Sequence, residues 1–67
     1  MSKKLMSRVK ECREKKNLTQ EELARMVGVS RQTIVAIEKG NYVPSVGLAL
    51  DIAKLFHQSV EHIFLWT

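Results

Sequence analysis

The sequence predicts an all-α fold of five helices, and three observations carry that reading. Apolar residues recur at spacings of three and four along nearly the whole chain, the period of a helix that buries one face. A hydroxyl residue (Thr19, Ser30, Ser45 or Ser59) stands just ahead of four of the five apolar stretches, where an N-cap belongs. No alternating run reaches ordinary strand length. With 67 residues the chain has room for one domain, residues 1–67, and a core this small calls for a staple or a partner subunit.

The first helix is expected over about residues 5–16. Leu5, Val9 and Cys12 form its apolar stripe, and Lys15, Lys16 and Asn17 place cations and a helix-ending Asn at its C-terminus. Thr19-Gln-Glu-Glu22 fits a capping box, in which the threonine hydroxyl and the glutamate each satisfy one free N–H of the first turn. The second helix turns Leu23, Ala24 and Val27 inward and ends at Gly28. Ser30 opens the third, which buries Ile34 and Ile37, leaves Arg31, Gln32, Thr33 and Ala36 on the outer side with Val35 at the boundary, and stops at Gly40. After the loop 41–44, Ser45 caps a fourth helix carrying Val46, Ala49, Ile52, Ala53 and Phe56, its stripe widened by Leu48, Leu50 and Leu55. Gly47 in its first turn has no evident compensation for a cost of up to about 1 kcal/mol. His57-Gln58 breaks the pattern, and Ser59 caps a short last helix through Phe64.

Apolar residues make up 45% of the chain and charged residues 27%, a balance that argues against disorder. The single Cys12 excludes an internal disulfide, and with two histidines it does not make a zinc site, so no metal and no cofactor are expected. Cys12, Met6 and Met26 read as packing residues. His57 and His62 lack carboxylate or cysteine company at ligand spacing. No phosphate loop or nucleophile–base pair is present, so no catalytic residue, enzymatic activity or small-molecule substrate is expected. No apolar run approaches the roughly 20 residues of a membrane span, and the start lacks a signal-peptide stretch. A cytoplasmic, reduced, unanchored protein follows. The net charge of +4 suits a polyanionic partner, and its distribution is uneven: residues 1–16 carry +5 and the remainder −1. That N-terminal excess is either a solvated helix face or a phosphate-facing one.

The informative unit is Thr19 to Gly40. Two short helices joined by Gly28-Val29-Ser30 cannot return antiparallel, and a short glycine-containing turn sets them at a steep angle, as in a helix-turn-helix. Ala24 permits the close crossing, while Leu23, Val27, Val29, Ile34 and Ile37 lock the angle.

These residues resemble the lambda-repressor/Cro-like, or XRE, helix-turn-helix family. The resemblance runs from about Val9 to Phe64 and is most specific in Leu18-Thr-Gln-Glu-Glu-Leu-Ala-Arg-Met-Val-Gly-Val-Ser-Arg-Gln-Thr-Ile34, followed by Ile37-Glu-Lys-Gly40 and Pro44-Ser45. The whole is similar to small single-domain dimeric repressors of the cytolysin-repressor type. The resemblance implies a five-helix DNA-binding domain with the helix-turn-helix at helices 2 and 3, core residues 19–40, and a third helix that enters the major groove of double-stranded DNA. It also implies a prokaryotic transcriptional regulator, with an antitoxin-like or other protein-binding module as the alternative.

The chemistry of the third helix suits that use. A helix about 10–12 Å across fits the roughly 12 Å major groove. Arg31 can donate twice to guanine and Gln32 can pair with adenine, each such pair discriminating by about 1–3 kcal/mol. Thr33 can meet a thymine methyl or a phosphate, and Ala36 a methyl only. Relatives often carry a longer polar residue at the position of Ala36, so their third base contact is in doubt here. Backbone contacts are expected from Thr19 and Gln20, at a helix N-terminus that favours an anion, and from Lys39, Asn41 and Tyr42 beyond the third helix. The family further implies a structural ion pair between Arg13 and Glu38.

Ile63-Phe-Leu-Trp66 places four large apolar residues in the last five positions. Exposed together they would form a patch unlike that of a soluble monomer, so a two-fold homodimer through about residues 60–67 (Ile63, Phe64, Leu65, Trp66) is expected. One or two of them could instead cap the chain's own core. In cytolysin-type relatives short terminal strands pair beside the helices, and residues 4–6 with 64–66 could do the same.

Overall fold

The structure, a computed structural model, describes residues 4–67. Along the chain run β1 (Leu5–Ser7), α1 (Val9–Lys15), α2 (Gln20–Val27), α3 (Arg31–Glu38), α4 (Val46–Phe56), α5 (Val60–Ile63) and β2 (Phe64–Trp66). The five helices enclose one apolar cluster in which Val9, Leu23, Ile34, Ile37, Ile52 and Ile63 are wholly buried.

Four helices start at the hydroxyl residues the sequence marks. Thr19 Oγ1 accepts from Glu22 N–H at 3.0 Å while Glu22 Oε1 accepts from Thr19 N–H at 2.8 Å, a complete capping box. Ser30, Ser45 and Ser59 accept from the N–H groups of Thr33, Leu48 and His62 at 3.1–3.2 Å. Such a cap stabilises by about 1 kcal/mol, which matters where helices are only four to eleven residues long. The hydrogen bond from the Thr19 backbone N–H, with the threonine side chain beside it, holds the Glu22 carboxyl below its ordinary pKa. Left-handed residues, among them Asn17 (φ 57°), Gly28 (φ 76°) and His57 (φ 54°), end three of the helical stretches.

The ends of the chain differ from a purely helical reading. The first helix begins at Val9 rather than near residue 5, because Leu5–Ser7 pairs antiparallel with Phe64–Trp66 in the register Leu5 to Trp66, Met6 to Leu65 and Ser7 to Phe64. The sheet is one residue further along the first strand than 4–6, and it shortens the last helix to Val60–Ile63. Ser7 Oγ accepts from Val9 N–H at 3.2 Å, and Arg8 N–H donates to the Ile63 carbonyl at 2.8 Å. Strand pairing thus satisfies backbone groups that neither terminus could satisfy alone.

The stripe on α4 is narrower than its sequence implies. Leu48, Ala49, Ile52, Ala53 and Phe56 are buried, but Val46 and Leu50 are 77% and 55% exposed because the helix meets the cluster along one edge only. Met6 and Met26 are likewise exposed rather than packed. Nothing in the structure explains Gly47, which has open space around its Cα. No helix of the described residues is long and apolar enough to cross a membrane.

Gly28 and Gly40 share φ of 76° but differ in surroundings. A Cβ on Gly28 would meet nothing within 4 Å, whereas on Gly40 it would lie 2.9 Å from the Leu5 carbonyl oxygen. β1 is therefore pressed against the turn that follows α3. Gly28→Ala is expected to cost about 1–2 kcal/mol from the left-handed backbone, and Gly40→Ala at least about 1 kcal/mol more from overlap with Leu5. Chemical denaturation of the two variants checks the order.

Candidate nucleic-acid interface

The Ser30 cap and the Gly28 bend determine how α3 is presented. The Ala24 carbonyl accepts from both Gly28 N–H and Val29 N–H, which closes the end of α2 and pitches α3 across it. Ile34 and Ile37 then bury one side of α3; helical geometry sends Gln32 to the opposite side and leaves Arg31, three residues before Ile34, on the flank, and both are exposed. Thr33 is half-buried, and its hydroxyl shares a 3.0 Å hydrogen bond with Ser30 Oγ, so it belongs partly to the cap. A shallow furrow of about 400 Å³ runs along the outer side, lined by Arg31, Gln32, Val35, Ala36, Lys39 and Asn41. Tyr42 is exposed just beyond it.

A second cleft, of about 390 Å³, opens where the N-terminus of α2 meets the start of α3. Arg13, Thr19, Gln20, Glu21 and Arg31 line it, so Arg31 borders both hollows. Behind it lies a hydrogen-bonded cluster. Arg13 Nε donates to Glu38 Oε2 at 2.7 Å and Arg13 Nη2 to Glu38 Oε1 at 3.2 Å, with side chains only 11% and 5% exposed. Arg13 Nη1 donates to the Leu18 carbonyl at 2.8 Å, and Gln20 Nε2 donates to Glu38 Oε1 at 3.1 Å. The hydrogen bond to Glu38 pushes the Arg13 pKa up further. Gln20 is held through one amide N–H, and no hydrogen bond from the second is made among the described residues. The contact with Glu38, eighteen residues away, has no signal in the sequence.

The cluster has an electrostatic consequence. Glu38 is the only acidic residue of α3, and Arg13 neutralises it, so Arg31 and Lys39 leave the outer side with an uncompensated positive charge. Among the described residues no group of His, Cys, Asp and Glu could hold a metal ion. Cys12 packs beside the core, and burial raises its pKa, which disfavours the reactive thiolate.

The four C-terminal apolar residues divide. Ile63 has no accessible surface and belongs to the chain's own core, so the expected interface segment loses it. Phe64 and Leu65 are half-buried, and Trp66 is 59% exposed. Phe64 joins Leu5, Val43, Val46, Leu50 and Val60 around an almost wholly apolar groove of about 220 Å³ that the sequence did not indicate.

Removing one partner of a buried, hydrogen-bonded ion pair strands the other, at a cost of about 3–5 kcal/mol. Arg13→Ala should therefore lower the melting temperature strongly. Lys15→Ala, an exposed change on the same helix, should stay within about 0.5 kcal/mol of the parent. Thermal melts of the pair measure the difference.

Comparison with known proteins agrees with this architecture. A family model described as helix-turn-helix matches residues 9–63. An uncharacterized HTH-type transcriptional regulator of Archaeoglobus fulgidus is 53% identical over 62 residues, covering 92% of this chain and 87% of its own length. One from Bacillus subtilis is 50% identical over 60 residues, covering 90% and 91%. The ImmF control region 10 kDa protein of Bacillus phage phi105 is 40% identical over 55 residues, covering 82% and 61%. On the capped α2–turn–α3 unit, the five helices around it and these matches, the chain belongs to the lambda-repressor/Cro-like (XRE) helix-turn-helix family.

Proposed function

We propose that the protein is a sequence-specific DNA-binding transcriptional regulator, a prokaryotic repressor that holds a pseudo-palindromic operator as a homodimer in the cytoplasm. The observation that carries the reading is the exposure of Arg31 and Gln32 on the first turn of α3, while Ile34 and Ile37 hold the other side of the helix in the core. In this reading residues 1–67 act as one domain. Arg31, Gln32, Thr33 and Ala36 face base edges, with Thr33 restricted by its bond to Ser30. Thr19, Gln20, Lys39, Asn41 and Tyr42 hold the flanking phosphates. The names of the relatives as transcriptional regulators support the function class, and their bacterial, archaeal and phage origins support a prokaryotic setting. Repression needs no further surface, since a domain seated in the groove excludes other proteins from the same stretch.

The homodimer reading rests on apolar surface. Val46, Leu50 and Phe64 line the apolar groove and Trp66, two residues beyond Phe64 on β2, is exposed, which gives a second copy apolar surface to cover; Leu65 is only half-buried. A two-fold arrangement presents two α3 helices roughly 34 Å apart, the repeat of the duplex.

Two experiments test these statements. Selection of bound duplex from a random pool should enrich one pseudo-palindrome. Repeating it with Arg31→Ala and Gln32→Ala should relax preference at particular base pairs, by about 1–3 kcal/mol each. Loss of affinity with preference intact would demote both side chains to backbone contacts, and failure of the parent to enrich any DNA would refute the function. Separately, light scattering at micromolar protein should return twice the chain mass, and Leu50→Glu should return the single-chain mass. A monomeric parent would remove the dimer.

A further inference from the structure

We propose that Lys4, on the segment leading into β1, forms with Lys39 a seat for a phosphate of the duplex backbone at the C-terminal end of α3. The inference rests on the DNA-binding reading and adds a contact from a part of the chain outside the helix-turn-helix.

Three observations converge. First, Lys4 is anchored: its carbonyl accepts from Thr67 N–H at 2.9 Å and from Thr67 Oγ1 at 3.1 Å. Second, the missing Cβ of Gly40 lets this segment lie directly against the end of α3. The Lys4 Cε sits 4.0 Å from where that Cβ would be, and Lys4 and Lys39 border one cleft of about 280 Å³. Third, the cleft offers the two lysines no uncommitted acidic side chain. Its only acidic side chain, Glu38, already accepts from Arg13 and Gln20, and neither lysine takes part in an ion pair among the described residues. Two exposed ammonium groups at one helix end, with the local carboxylate consumed, favour an external anion. With α3 in the groove, that end points to the flanking backbone, so the anion is a phosphodiester. Within the basic N-terminal stretch, Arg13 is committed to Glu38, Lys15 and Lys16 line a separate cleft with Phe56 and His62, and Lys4 reaches the end of α3.

The test is the salt dependence of binding by the full chain to the duplex that the parent selects. A lost phosphate contact lowers the log–log slope by about 0.9. Lys4→Ala should show that loss, with base preference and melting temperature unchanged, and Lys4→Arg should keep the parental slope. An unchanged slope in Lys4→Ala, or altered preference at a base pair, would overturn the proposal while leaving the DNA-binding reading intact. If the parent selects no DNA, both fall together.

Discussion

The Glu38 carboxylate accepts from three donors on two other elements, and the attitude of α3 depends on that arrangement. Arg13 reaches it from α1 and spends its remaining fork on the Leu18 carbonyl, while Gln20 reaches it from the first turn of α2. A buried carboxylate left without donors is expensive, so rotation of α3 that separated Glu38 from Arg13 would be opposed at once. Such a pair adds little net stability compared with apolar packing of the same volume. Its effect is geometric: it selects one orientation of α3 from the several that a slippery Leu and Ile contact would tolerate.

The same carboxylate links two surfaces that the proposed function assigns to one duplex. Gln20 stands at the N-terminus of α2, where free N–H groups favour an anion, and Arg31 opens α3 beside it. Holding the Gln20 amide against Glu38 fixes it in advance, so that the proposed phosphate contact would order little further side chain. Neutralising Glu38 from behind also leaves the outer side of α3 cationic. One ion pair therefore serves both presentation and charge.

The two chain termini play a structural part that their length does not advertise. β1 and β2 pair, Ile63 fills the core beneath them, and Gly40 accepts the strand against the end of α3. For a chain with so little interior, this closure supplies backbone satisfaction and burial that the helices alone do not provide. It also brings Lys4 and Thr67 to the cleft that Lys39 borders, and leaves an apolar groove between β1, α4 and α5 on the surface.

Much of this was legible from local chemistry. Thr19 with Glu22, Ser30, Ser45 and Ser59 mark four helix starts because a cap is a contact within four residues, and the left-handed Asn17, Gly28 and His57 mark ends for the same reason. The bend between α2 and α3, and hence the exposed edge carrying Arg31 and Gln32, follows from that short-range grammar plus the period of Ile34 and Ile37. What sequence alone did not decide are the long-range contacts. Leu5 continues a helical stripe by spacing, yet it enters a strand, since its partner Trp66 lies at the other end of the chain. Val46 and Leu50 sit at helical intervals, yet only the placement of α4 against its neighbours determines that they face outward. The Gln20 contact with Glu38 and the approach of Leu5 to Gly40 are likewise invisible to periodicity, because hydrogen bonds and steric fit between distant residues depend on where the packed core brings them.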